Sequence, residues 1–243
     1  MRSQSPTFQP LYVQTKALIE RALEAGEWAP GAAIPAEVAL AARFGVSQGT
    51  VRKAIGALAA ENLLVRRQGK GTFVATHTEE PASNFRFLRI RRNDGRPEYP
   101  GSRLIDLKRA RASAEIARQL AIKSGDGVFI LKRVLDYAGR PAVLDEITLP
   151  VTLFNGLTRA RFAGYPGSMY GFFETAFGVR MLRADERLHA VAADQPSADL
   201  LGVAPGTPLL AVERISYTYN DRPVEVRRGL CTTINEHYWN TLT

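Results

Sequence analysis

What this sequence has little of narrows its possibilities before any motif is read. A single cysteine, Cys231, leaves no internal disulfide, which fits a reducing compartment. Three histidines, His77, His189 and His237, stand far apart without the spacing of metal ligands, so no metal site is expected. No run of 18 apolar residues occurs, and the opening MRSQSPTFQP lacks the apolar centre of a secretion signal. No membrane partner is therefore expected, and a cytoplasmic location is. Glycine and proline, 20 and 14 in 243 residues, are not in excess and 45% of residues are hydrophobic, which excludes collagen, coiled coil and wholesale disorder. No solenoid repeat, Ser/His/Asp set or cofactor motif is present, so neither catalytic residues nor a cofactor are expected.

What is present is a formal excess of +8, and a basic field favours a polyanionic partner. Residues 1–76 carry 9 basic and 5 acidic groups and residues 77–243 carry 23 and 19. The two parts contribute equally, so charge density is about twice as high in the shorter one. By itself this excess also fits mere solubility.

The first part reads as three short helices and a hairpin. Leu11, Thr15, Leu18, Ile19 and Ala22 recur at helical spacing behind Pro10 until Gly26. After a turn at Trp28, Pro30 and Gly31, a second helix opens at Pro35 and Glu37 with Leu40, Ala41 and Phe44 on one face, and stops at Gly45. Ser47 is an N-cap for a third helix that buries Val51, Ala54, Ile55 and Leu58. Two helices joined by so tight a glycine turn have the form of a helix-turn-helix.

The third helix begins with small and polar residues, Ser47, Gln48, Gly49 and Thr50, followed by Arg52. Short side chains let a helix backbone enter the major groove while longer donors reach base edges. On a lone amphipathic helix, Gln48, Arg52 and Lys53 would be no more than a solvated face. The basic hairpin that follows, RRQGKGTF, strengthens the DNA reading. Its Gly69-Lys70-Gly71-Thr72 fails as a Walker loop, which needs four residues before Gly-Lys and a helix afterwards. As a wing, its glycines allow close approach, while Arg66, Arg67 and Lys70 neutralise phosphates or enter the minor groove.

The polar stretch 77–83 lacks an apolar period and reads as a linker. Beyond it, strands are expected at 85–91, 102–108, 128–137, 142–149, 181–192, 209–219 and 223–232, and helices at 113–121, 168–177 and 197–201. Two near-copies, YAGRP at 137–141 and YNDRP at 219–223, look like hairpin turns of one antiparallel sheet.

At this point a resemblance is specific. PLYVQ, PGAAIPAE, FGVSQGTVRKAI and RRQGKGTFV make residues 10–76 resemble the winged helix-turn-helix of the GntR family of bacterial regulators. The Arg133 strand running into Gly139-Arg-Pro141, GSMYGFFETAFG, PSADLLGVAPGTPLLAVER and TYNDRPVEVRR make residues 84–243 resemble the UTRA effector domain of the HutC-type subfamily. The resemblance implies an α+β chain: a DNA-binding domain at 8–76, the linker at 77–83, and an effector domain at 84–243. The latter is a mixed α/β domain with a mainly antiparallel sheet of chorismate-lyase-like fold. It further implies a homodimer on palindromic double-stranded operator DNA, modulated by a small-molecule effector.

By the same resemblance Thr50 and Arg52 match DNA-contacting positions and Gly69 matches the wing position near the minor groove. Val38 and Gln48 stand where the family usually has arginines. Glutamine suits adenine N6/N7 where arginine suits guanine O6/N7, so a changed operator base is expected opposite Gln48. In the effector domain Arg133 matches a ligand-meeting arginine, whose planar fork holds a carboxylate or phosphate. Without the family match it reads rather as a surface strand arginine paired to a carboxylate. Ser168 and Tyr170 at a helix start fit an anion site. Glu225 and Tyr238 match later pocket positions, with Arg227 expected nearby. Leu135 replaces a second arginine found in sugar-phosphate binders, which favours a carboxylated or less polar metabolite. The alternative of a DNA-tethered enzyme with a lyase-like domain would rest on His189 or Glu225 alone, and a nucleoid protein would not need the second domain.

Overall fold

The structure, a computed structural model, describes residues 9–78, 87–96 and 99–240. The chain divides into two compact units, Met1–Thr76 and His77–Thr243.

The first unit packs α1 (Leu11–Glu24), α2 (Glu37–Phe44) and α3 (Gln48–Ala60) beside a hairpin of β1 (Leu64–Arg67) and β2 (Gly71–Val74). Ile19, Leu40, Val51, Ala54, Ile55 and Leu58 are at most 1% exposed and form its core. Gly45 ends α2 in the left-handed conformation at φ +65°. Two residues later the Ser47 hydroxyl accepts the Thr50 N–H at 3.1 Å and starts α3, satisfying a donor that the helix leaves orphaned. The segment before α2 is more ordered than a turn. Gly31 and Ile34 donate backbone hydrogen bonds to Val74 and Thr72, and Val74 donates to Ala32, so this segment lies along the wing as a third extended piece.

In the second unit, six antiparallel strands lie in the order β4-β5-β6-β9-β8-β7. They are β4 (Gly101–Arg111), β5 (Gly127–Tyr137), β6 (Arg140–Pro150), β7 (Arg183–Ala192), β8 (Pro208–Tyr217) and β9 (Pro223–Cys231). Both near-copy turns join neighbours: β5 to β6 with Ala138 and Gly139 at φ +49° and +74°, and β8 to β9 with Asn220 and Asp221 at φ +56° and +52°. Positive φ at both central residues matches the turn to the right-handed strand twist. Helix α4 (Ala114–Gln119) connects β4 to β5, and α7 (Gln195–Leu201) connects β7 to β8. Between β6 and β7 run α5 (Arg159–Ala163) and α6 (Met169–Phe177), which lays Phe172 and Phe173 on Leu131, Ile147 and Leu149 of one sheet face. Leu201 and Ala198 of α7 cover Val134, Leu209 and Ala211 on the other.

Some boundaries differ from the sequence reading. Helix α5 and strand β10 (Glu236–Tyr238) were not expected; β10 pairs with β3 (Ile90–Arg92) in a separate two-stranded sheet. Both are too short for a periodic signal. Of the strand expected at 85–91, residues 85 and 86 lie outside the described residues and β-structure begins at Ile90. Helix α7 starts at Gln195, before the expected 197, because Asp194 is its N-cap, accepting the Ser197 N–H at 2.9 Å. Of the stretch expected to be linker, 79–83 lies outside the described residues, and His77 is buried in the second unit. Its N–H donates to Glu174 Oε2 at 2.6 Å and its Nε2 meets the Met181 carbonyl at 3.0 Å.

Candidate DNA-reading surface and effector pocket

On the first unit, the expected DNA-contacting residues lie at the start of α3 and along the wing. Ser47, Gln48, Gly49 and Arg52 are exposed at the start of α3, with Thr50 half-buried beside them. Arg66, Gly69 and Lys70 are exposed along the wing. Gly69 and Gly71 hold φ +70° and +109°, which only glycine adopts without strain, so the wing tip needs both. Arg67 stacks over Phe73, 4.5 Å from the ring centroid.

Glu37 on α2 is the residue that the sequence reading treated only as a helix opener. Its Oε2 accepts from Arg52 Nε at 2.9 Å and from Gln48 Nε2 at 3.3 Å, and Arg66 Nη2 lies 3.9 Å from its Oε1. Arg66 also donates to the Arg52 carbonyl at 3.1 Å. One carboxylate thus ties α2, α3 and the wing together through side chains that point to the surface.

In the second unit, side chains alternate between sheet faces with period two. Register puts Arg133 opposite Asp145, Asp145 opposite Gly229, and Arg214 between Arg227 and Glu186. Asp145 has no exposed surface and accepts from Arg133 Nε at 3.0 Å and Arg227 Nε at 2.7 Å, with Arg227 Nη2 at 2.6 Å. Burial alone would raise its pKa; the two guanidinium groups outweigh that and hold it below the usual carboxylate value. A Cβ on Gly229 would stand 3.1 Å from Asp145 Oδ1, so the glycine makes room for this cluster. Arg214 donates to Glu186 Oε1 at 2.7 Å through Nε, to the Tyr170 hydroxyl at 3.3 Å, and to the Phe87 carbonyl.

Over this face lies a cavity of about 460 Å³, within the usual size range of small-molecule sites. Arg133, Arg214 and Arg227 line it together with the start of α6, Gly167 to Tyr170, and apolar walls that include Leu135. Asp145, Glu186 and Glu225 stand behind the wall: among the described residues no carboxylate lines the cavity. The carboxylates balance much of the charge from behind, and what the wall presents to the cavity is guanidinium N–H donors suited to a carboxylate or phosphate.

Four of the six expected effector residues, Arg133, Ser168, Tyr170 and Arg227, line this cavity. Glu225 and Tyr238 do not. Glu225 is fully buried behind the wall, accepting from the Tyr170 hydroxyl at 2.8 Å and from Ser216 at 2.9 Å. Tyr238 donates to Glu186 and lines a smaller neighbouring cavity with Arg89 and Cys231. Burial and that hydrogen bond push its phenol up to about 12. The sequence reading missed Arg214 and Asp145. A register shift beside each hairpin turn, between Leu135 and Asp136 and between Ser216 and Tyr217, sets Arg133 opposite Asp145 and Arg214 opposite Arg227, and counting residues back from the turns alone does not give those pairs.

A winged helix in one unit and a cation-walled cavity in the other define a DNA-binding regulator modulated by a small molecule. Comparison with known proteins agrees. Residues 11–74 match the gntR family of bacterial regulatory proteins, and residues 95–233 match the UTRA domain. The transcriptional repressor NagR of Bacillus subtilis is 30% identical over 93% of this chain and 90% of its own length. A probable fructoselysine utilization operon repressor of Escherichia coli is 30% identical over 92% and 90%. The ligand-binding domain of a GntR-family regulator from Bordetella bronchiseptica is 49% identical, with a TM-score of 0.64 over 65% of this chain and 98% of that one. The chain belongs to the GntR family, in the HutC-type branch that joins the DNA-binding domain to a UTRA domain. It is a transcriptional regulator and not an enzyme.

Proposed function

We propose that this chain represses transcription as a cytoplasmic homodimer on a palindromic operator, and that an anionic metabolite held by Arg133, Arg214 and Arg227 changes its operator affinity. The observation that carries the reading is the cavity wall of three guanidinium groups with no carboxylate among its described residues. Ser168 and Tyr170 complete the anion-facing side, while Glu225 and Tyr238 brace it from behind. On the first unit, Ser47, Gln48, Gly49, Thr50 and Arg52 read the major groove, and Arg66, Arg67, Gly69 and Lys70 follow the backbone and minor groove. Relatives named as repressors over nine-tenths of the chain support the direction of control.

The test is operator selection from random duplexes, followed by affinity measurement with and without a ligand found by thermal shift. The expected result is a two-fold-symmetric site with half-sites about one helical turn or a multiple apart, and a ligand effect of about 5–150-fold. Selection of a single asymmetric half-site removes the dimer. A bound ligand that leaves operator affinity unchanged removes the effector role, since equal affinity for two states shifts nothing.

A further inference from the structure

The polar inventory of the cavity says more than that its ligand is an anion. An arginine side chain only donates hydrogen bonds, and a hydroxyl is the sole side-chain group here that both donates and accepts. Among the described residues lining the cavity there is no Asp, Glu, Asn, Gln or His. The hydroxyls near the cations already have partners. Tyr170 donates to Glu225 and accepts from Arg214. Ser168 accepts the Gly171 N–H at 3.0 Å and donates to the His77 carbonyl at 3.4 Å. Ser102 lies 3.5 Å from Arg133 Nη1 as its acceptor. Away from the cations the side chains are mostly carbon, Phe87, Leu88, Leu104, Leu135, Phe162 and Phe172 among them, with Tyr99 and Tyr165 as the further hydroxyl-bearing residues.

A sugar phosphate entering this space would satisfy its phosphate, but its several ring hydroxyls would meet few side-chain partners, the Tyr99 and Tyr165 hydroxyls standing among hydrocarbon and already engaged donors. Desolvated polar groups without partners are strongly disfavoured. A carboxylate on an aromatic or branched apolar body would satisfy every group it carries, with the head on the guanidinium wall and the body on the carbon wall. Resting on the reading of this cavity as the effector site, we infer that the ligand is an apolar-bodied monocarboxylate, rich in acceptors and poor in donors, and not a polyhydroxylated phosphate. Leu135 beside Arg133 is a determinant of that choice, because it supplies carbon where a further cation would serve a dianion.

The test titrates the full-length protein with two panels by calorimetry and thermal shift. One contains benzoate, phenylacetate, 3-phenylpropionate and indole-3-acetate. The other contains glucose 6-phosphate, glucosamine 6-phosphate and fructose 6-phosphate. Each is repeated on Ala163→Trp, which fills the cavity mouth from an exposed position on α5 without touching the arginine cluster. The expected result is that the best carboxylate binds at least about tenfold more tightly than any sugar phosphate, with the negative heat-capacity change of apolar burial, and that Ala163→Trp abolishes it. Tighter binding of a sugar phosphate that Ala163→Trp abolishes overturns the inference, as does the absence of any cavity-dependent carboxylate binding. Operator affinity measured with the same compounds separates the two readings. A carboxylate that fills the cavity without altering operator affinity refutes the effector role and leaves the ligand class standing. A sugar phosphate that alters it does the reverse.

Discussion

Replacing Asp145 by asparagine tests the charge cluster at the centre of the effector domain. The change keeps the shape of the side chain and removes the one carboxylate that Arg133 and Arg227 share, at contacts of 2.6 to 3.0 Å. Both arginines lie under a tenth exposed, so water in the cavity they line replaces the lost partner only in part. Breaking a buried pair from one side costs about 3–5 kcal/mol because an uncompensated charge remains. At about 2–4 °C per kcal/mol for a domain of this size, the melting temperature should fall by about 6–20 °C. Thermal and urea unfolding of both proteins at pH 7 measures it. Acid supplies the internal check. The folded pKa of Asp145 is held below its ordinary 3.8, so its contribution is present above that value and lost as pH falls through the folded pKa. The deficit of the variant should be constant from about pH 5 to 7 and shrink below about pH 4. A loss under about 1 kcal/mol at pH 7 would show that the arginines find other partners and refute the reasoning.

Gln48→Arg should move the preferred operator base opposite that position from adenine toward guanine, read by selection from randomised operators; an unchanged preference would sink the assignment. Val38 is 65% exposed at the start of α2, so Val38→Arg should leave stability within about 1 kcal/mol and steepen the log-log salt dependence of DNA binding by about one unit. Lys70→Ala should flatten the same slope by about one unit, and equal slopes would make Lys70 a bystander. Cys231 is buried and its thiol is pushed up to about 12, chiefly by burial, so a thiol-specific reagent at pH 8 should label it only after denaturant unfolds the domain. Rapid labelling of the folded protein would contradict the packing around it.

The legible parts of the sequence were those with local causes. Gly45, Ser47 and the Val51, Ala54, Ile55, Leu58 spacing specify the turn and α3 within a dozen residues, and the wing follows from two glycines that must hold positive φ. The two hairpin turns marked four strands of the sheet correctly because positive φ at Ala138, Gly139, Asn220 and Asp221 fixes each pairing locally. What escaped was set by contacts between distant segments. Glu37 reaches 11 and 15 residues along the chain to Gln48 and Arg52, and neither α2 nor α3 read alone shows it. Arg214 and Asp145 each look like an ordinary strand charge until the register sets them beside Arg227 and Arg133. Glu225 and Tyr238 were placed in the pocket by likeness to relatives, whereas here hydrogen bonds to Tyr170 and Glu186 hold them behind its wall.

Glu37 has a consequence for how DNA is met. Its carboxylate holds Arg52 through Nε alone, which leaves the two Nη groups to reach a phosphate oxygen or a base acceptor in the proposed complex. If Arg52 contacts DNA as proposed, the Glu37 bond has already taken part of its rotamer freedom when the domain folds and not at the duplex. In the proposed complex Glu37 is also a like charge beside the DNA-contacting residues. A duplex that offers Arg52 no well-aligned acceptor gains nothing against that repulsion, so the residue works as a threshold that disfavours the wrong sequence more than it weakens the right one.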